Sequence, residues 1–139
     1  MPAVNFFAED LDFKIPHPRK TASWIKAVVA KEKSSILELN FIFCSDEYLL
    51  ATNIQYLKHK SYTDIITFDY SESSKNLQGD IFISIERIKE NAIKFEKSFD
   101  EELHRVIIHG VLHLLGYNDK SPKEKAQIHK KEDHCLSLR

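Results

Sequence analysis

Residues 98–119, SFDEELHRVIIHGVLHLLGYND, read as a capped helix followed by a sharp turn. Ser98-Phe99-Asp100-Glu101 is a capping box, in which the serine side chain and the glutamate three residues on satisfy the first unpaired N–H groups of a helix. From there the chain is expected to stay helical through Leu115. Val111, Leu112, Leu114 and Leu115 make its second half too apolar for a solvated helix. A buried helix needs a layer to cover, and the rest of the chain supplies one. AVNFF (3–7) reads as an edge strand and ILELNFIFCS (36–45) as a central one, while IITFDY (65–70) and DIFISI (80–85) are also rich in strand formers. Between them lie an amphipathic helix over 19–33 (Ala22, Ile25, Val28, Val29) and a helix capped by Asp46. A further helix carries Ile88, Ala92, Ile93 and Phe95. IPHPR is turn-like, KHKSYTD is a loop, and SESSKNLQG is irregular up to Gly79. Ser121-Pro122-Lys123-Glu124 is a second capping box, with proline at the favoured first helical position. The order of elements predicts an α+β fold: one domain spanning residues 1–139, with a small mixed sheet of about four strands covered by helices.

Composition narrows the function classes. The chain has 139 residues, 20 basic and 21 acidic, a net charge of −1, with 42% hydrophobic and 29% charged residues. That balance excludes a wholly disordered chain and fits one domain with its own core. Near-zero net charge argues against broad, charge-driven nucleic-acid binding and leaves room only for a local basic patch. Cys44 and Cys135 form no C-x-x-C and allow at most one bridge, which suits a reducing compartment. No apolar run approaches a membrane span, and MPAVNFFAEDLDFK lacks the basic and apolar regions of a signal peptide. The expected location is the cytoplasm. Glycine occurs only three times, where average usage predicts roughly ten, so Gly79, Gly110 and Gly116 each mark a place where the backbone needs one.

The chemistry concentrates in HGVLHLLGYND (109–119). His109 and His113 are four apart, so on a helix they stack on one face and reach a single ion. Gly116 suits a left-handed helix cap, and the reversal it permits can return Asp119 to the histidine face. Two imidazoles, a carboxylate and an open fourth position make a catalytic zinc set. The spacing matches that of the metzincin proteases with the third histidine replaced by aspartate. Gly110 separates this chain from them. The proteases carry a glutamate general base beside the first histidine, and glycine cannot take a proton. Glycine also costs about 1 kcal/mol inside a helix, which points to a packing or access requirement there. His129 and His134, on a helix dense in Lys and Glu, read as solvated histidines rather than ligands.

These residues resemble the YbeY family of bacterial ribosomal-RNA maturation endoribonucleases, whose signature H-G-x-L-H-L-x-G-Y-D-H stands here as His109 to Asp119. LQGDIFIS (77–84) is similar to the family's L-G-D-I-x-I-S, and NIQYLKHKSYTDIITF (53–68) to its N-x-x-Y-R-x-K-D-x-P-T-D-V-L-S-F. The resemblance implies a metal-dependent, single-strand-directed endoribonuclease acting in 16S rRNA 3′-end maturation and ribosome quality control. Its partners would be ribosomal RNA and the small ribosomal subunit. It implies one zinc ion on His109, His113 and Asp119.

Two departures bear on the chemistry. Asp119 replaces the family's third histidine, and a carboxylate ligand weakens the metal as a Lewis acid and raises the pKa of its water. Leu57 replaces an arginine expected to contact the substrate phosphate, a planar bidentate contact that leucine cannot make. Lys58, His59 and Lys60 follow at once and are the candidates to stabilise charge in its place. Thr63, Asp64 and Thr67 are candidates for supporting or substrate contacts, and Phe68 and Tyr117 for base stacking. Attack by water and attack by the RNA 2′-hydroxyl both stay open. The alternative to an enzyme is a ribosome-assembly binding factor whose metal is structural.

Overall fold

Four strands, β1 (Val4–Ala8), β2 (Ser35–Cys44), β3 (Ile65–Asp69) and β4 (Asn76–Ser84), form one mixed sheet in the order β1-β2-β4-β3. The computed structural model describes residues 3–57 and 63–139 of the chain. β1 pairs with β2 and β2 with β4 in parallel, whereas β3 runs antiparallel along β4. The expected α+β architecture is therefore the one observed, with β2 central and β1 at an edge.

Alternation places Leu39, Phe41 and Phe43 of β2 and Ile81 and Ile83 of β4 in the main core. A fully buried side chain of this size contributes about 1.5–3 kcal/mol relative to an exposed one. Helices α1 (Pro18–Lys31), α3 (Ile85–Lys94) and α4 (Phe99–Leu114) bury Ile25, Ile88 and Ile107 in the same core, while α5 (Pro122–Leu136) closes over α4 through Ile128 and Cys135. On the sheet's other side, α2 (Asp46–Thr52) sets Leu49 against Cys44 and Ile66. It runs into a wider π-helical turn over Asn53–Leu57. Both cysteines are free and buried.

The structure revises three expectations. The cap of α2 is Ser45, whose hydroxyl accepts from the Tyr48 N–H; Asp46 instead forms a two-point ion pair with Arg87 of α3. Residues 76–79, expected to be irregular, already belong to β4, because the partner register of β2 extends back to Ser35 opposite Asn76. Ile93 is 81% exposed and Phe95 caps α3 from outside, so of the four apolar positions expected on that helix Ile88 and Ala92 are buried, joined by Ile85 at its first turn. Both capping serines of the sequence reading are in place. Ser98 accepts from the Glu101 N–H, and Ser121 and Glu124 complete a reciprocal box.

Candidate metal centre

The site begins with how closely α4 lies on the sheet. A Cβ built on Gly110 would stand 2.9 Å from Ile65 Cδ1 and 3.2 Å from both Ile81 Cδ1 and Cγ2. The helix thus touches β3 and β4 through a bare backbone, which is the packing requirement anticipated for this glycine. Gly79 meets a different need within the sheet, where a Cβ would come within 2.5 Å of the Phe68 carbonyl on β3, while Leu114 of α4 would be in ordinary contact at 3.5 Å. His109 and His113, on neighbouring turns, are carried at a fixed height above the strands.

The end of α4 then turns the chain back. Gly116 has φ +106°, a backbone that L side chains rarely adopt. The Gly116 N–H donates to the His113 carbonyl and the Tyr117 N–H to the Leu112 carbonyl, the paired bonds of a Schellman cap. Tyr117 anchors the reversal. Its hydroxyl donates to Glu32 at 2.9 Å, and Lys131 of α5 donates to the same carboxylate at 2.8 Å. Tyr117 is therefore committed to holding the turn rather than offered to a base. Burial would raise the Glu32 pKa, but these two bonds outweigh it and hold the carboxyl below its ordinary value.

Asp119 arrives three residues past the cap. Its Oδ2 lies 3.4 Å from His109 Nε2 and 3.4 Å from His113 Nε2, and the two ring nitrogens are 2.9 Å apart. Ligands about 2.05 Å from a tetrahedral zinc stand about 3.3 Å from one another, so the triangle has the size that such an ion requires. The donor set also fits in kind: two imidazole nitrogens and a carboxylate oxygen, with side chains 23%, 29% and 39% exposed, leave one side open to water or substrate. Neither His129 nor His134 joins the triangle.

Glu132 was not anticipated from the sequence. It sits on α5, 4% exposed, and its Oε2 accepts from His109 Nδ1 at 2.5 Å. Its Oε1 accepts from Arg105 at 2.9 Å, and Arg105 also pairs with Asp133. Burial disfavours a charged His109 ring, but the bond and charge of Glu132 prevail and raise its pKa. The available signal was positional: Ile128, Glu132 and Cys135 share one helical stripe, and all three are buried. A charge on an apolar stripe needs a partner.

The other candidates divide. Asp64 belongs to the site: with Glu102, Arg105, Val106, His109 and Glu132 it lines a cavity of about 140 Å³ beside the triangle. Burial pushes its carboxyl up against the pull of His109. Thr63 bonds to the Ile65 carbonyl and Thr67 pairs with Ile81 across the β3–β4 ladder. Phe68 makes edge contacts with Tyr56 and Phe82, with ring centroids 5.8 and 5.7 Å away. Lys58, His59 and Lys60 lie outside the described residues.

Comparison with known proteins agrees with the motifs. The family model described as "Endoribonuclease YbeY" matches residues 6–138. Proteins named Endoribonuclease YbeY are 53% identical in Cytophaga hutchinsonii, over 98% of this chain and 95% of theirs. The counterpart in Karelsulcia muelleri is 55% identical over 96% and 93%, and that in Bacteroides fragilis 47% over 99% and 98%. The fold is similar to the solution structure of TM1509 from Thermotoga maritima, with a TM-score of 0.68 at 24% identity over 97% of this chain and 87% of that one. A family match over residues 6–138 and relatives at about half identity leave one conclusion: the chain belongs to the YbeY endoribonuclease family.

Proposed function

We propose that this chain is a metal-dependent endoribonuclease that cuts single-stranded RNA, with zinc held by His109, His113 and Asp119. Its substrate on this reading is the 3′ end of 16S rRNA on the small ribosomal subunit, during maturation and quality control in the cytoplasm. The observation that carries the proposal is the triangle of three donor atoms 2.9, 3.4 and 3.4 Å apart at the end of α4, in a chain of this family. Zinc bound there supplies Lewis-acid polarisation of a phosphoryl oxygen, a water of lowered pKa, or both. The protein's own part is to hold three donors on a rigid helix and a capped turn and to leave the fourth side open. Lys58, His59 and Lys60 are assigned to the negative charge that develops on the phosphate. Gly110 leaves no general base where a zinc peptidase needs one, which favours RNA over peptide.

The test is cleavage of single-stranded ribosomal RNA by highly purified protein beside His113→Ala, with zinc content measured on both. About one zinc per chain, and activity lost in the variant, is the expected result. Equal activity in the two proteins identifies a contaminating nuclease and removes the enzyme reading. Folded protein that acquires no zinc on titration removes the site. Leu57, in place of the family arginine, favours a second reading in which the chain binds rRNA and its metal is structural. Binding without cleavage, in wild type and His113→Ala alike, would establish it.

A further inference from the structure

We infer that Glu132 is a positioning residue for the metal centre: from α5 its carboxylate holds Nδ1 of His109, so that the ring presents Nε2 toward His113 and Asp119. This rests on the metal reading above. The 2.5 Å contact between Glu132 Oε2 and His109 Nδ1 joins residues 23 apart in sequence and two different helices. A carboxylate there accepts a proton-bearing Nδ1, and a neutral imidazole with its proton on Nδ1 has its lone pair on Nε2, the atom in the triangle. Among the described residues, no buried carboxylate meets His113 Nδ1; the contacts of that ring, with His109 at 2.9 Å and Asp119 at 3.4 Å, are made through Nε2. The fold therefore spends a buried carboxylate on one ring of the pair.

The carboxylate is itself held in place. Arg105 reaches across from α4, one turn before His109, to Oε1 of Glu132 at 2.9 Å and onward to Asp133. Glu132 is thus fixed from both oxygens, one by a cation and one by the imidazole. A carboxylate that is 4% exposed is retained against its desolvation cost only when such partners satisfy it. Carboxylate-to-imidazole contacts of this kind fix ring orientation and raise ligand basicity at metal sites, and losing one typically weakens metal binding roughly 10- to 100-fold.

The experiment uses the full chain in two arms. In the first, nitrogen-15 NMR of chelator-treated protein at mildly alkaline pH reads the His109 tautomer in wild type, Glu132→Gln and Glu132→Leu. The proton should sit on Nδ1 in wild type, stay there in the glutamine variant, which keeps an acceptor oxygen, and move largely to Nε2 in the leucine variant. In the second arm, competition against a chromogenic chelator reads zinc affinity. It should fall roughly 10- to 100-fold in Glu132→Leu and by less in Glu132→Gln. A Glu132 that only stabilises the fold would lower the unfolding midpoint yet leave tautomer and affinity as in wild type, and that result overturns the inference. If Glu132→Leu does not fold, the nearly isosteric glutamine variant decides: an affinity equal to wild type overturns the inference, and a measurable loss supports it. A wild type that binds no zinc, but whose His109 tautomer still answers to Glu132, refutes the metal reading and with it any role of Glu132 toward a metal.

Discussion

Replacing Gly110 with alanine sets two forces against each other at the residue that follows His109 and lies against the sheet. Helix propensity alone favours alanine by about 1 kcal/mol. Packing opposes it. The new methyl would lie 2.9 Å from Ile65 Cδ1 and 3.2 Å from two atoms of Ile81, all below ordinary van der Waals contact. Ile65 is partly buried and its terminal methyl can swing away. Ile81 is fully buried in the sheet centre, and its Cγ2 is branched directly from Cβ, so it moves only with β4. Overpacking of this kind typically costs about 1–3 kcal/mol. The net expectation for Gly110→Ala is a loss of about 1 kcal/mol, read as a lower urea midpoint at unchanged slope in chelator-treated protein. Pairing it with Ile65→Val removes the 2.9 Å clash, so the double variant should lose less than the sum of the singles. A Gly110→Ala protein more stable than wild type by about 1 kcal/mol would mean that propensity wins and that close approach is not why glycine is there.

Three further outcomes follow from the geometry. Asp119→Ala should weaken zinc binding strongly, while Asp119→His should retain it, because either side chain can complete the triangle; equal affinity in all three proteins by chelator competition would remove Asp119 from the ligand set. Burial, helped by the negative charges of Asp10 and Asp46, pushes the Cys44 thiol up to about 12. At pH 8 its thiolate fraction is then about one in 10⁴, and iodoacetamide should leave Cys44 unlabelled in folded protein and label it in urea; rapid labelling of the native chain contradicts this burial. Glu32 has a folded pKa below its unfolded one, so its stabilisation is present above the unfolded carboxylate value and is lost as pH falls through the folded value. Urea midpoints of wild type and Glu32→Gln should therefore differ at neutral pH and converge in acid, and a difference that persists below about pH 3 would assign the effect to packing.

Local patterns were legible because local physics writes them. The Ser121 box closes within four residues, so its two bonds are decided by sequence neighbours alone. The same holds for the His109–His113 spacing and for Gly116, whose cap bonds reach back only to Leu112 and His113. Misreadings arose where a distant partner intervenes. Asp46 looks like a cap, but Arg87 across the α2–α3 interface claims its carboxylate and leaves the cap to Ser45. Residues 76–79 look irregular, but β2 supplies them with partners.

By itself, the sequence determined the element order, the helix that carries the histidines and the family, through motifs in which each residue type answers a nearby need. It also marked Gly110 as anomalous without saying which neighbour demanded it. Only tertiary structure decided that the neighbours are Ile65 and Ile81, that Asp119 returns to within 3.4 Å of both imidazoles, and that Glu132 holds the far side of His109. The division has one physical cause. Periodicity and capping are set by residues within a turn or two, whereas a buried charge or a missing side chain is explained by whatever the fold brings against it from far along the chain.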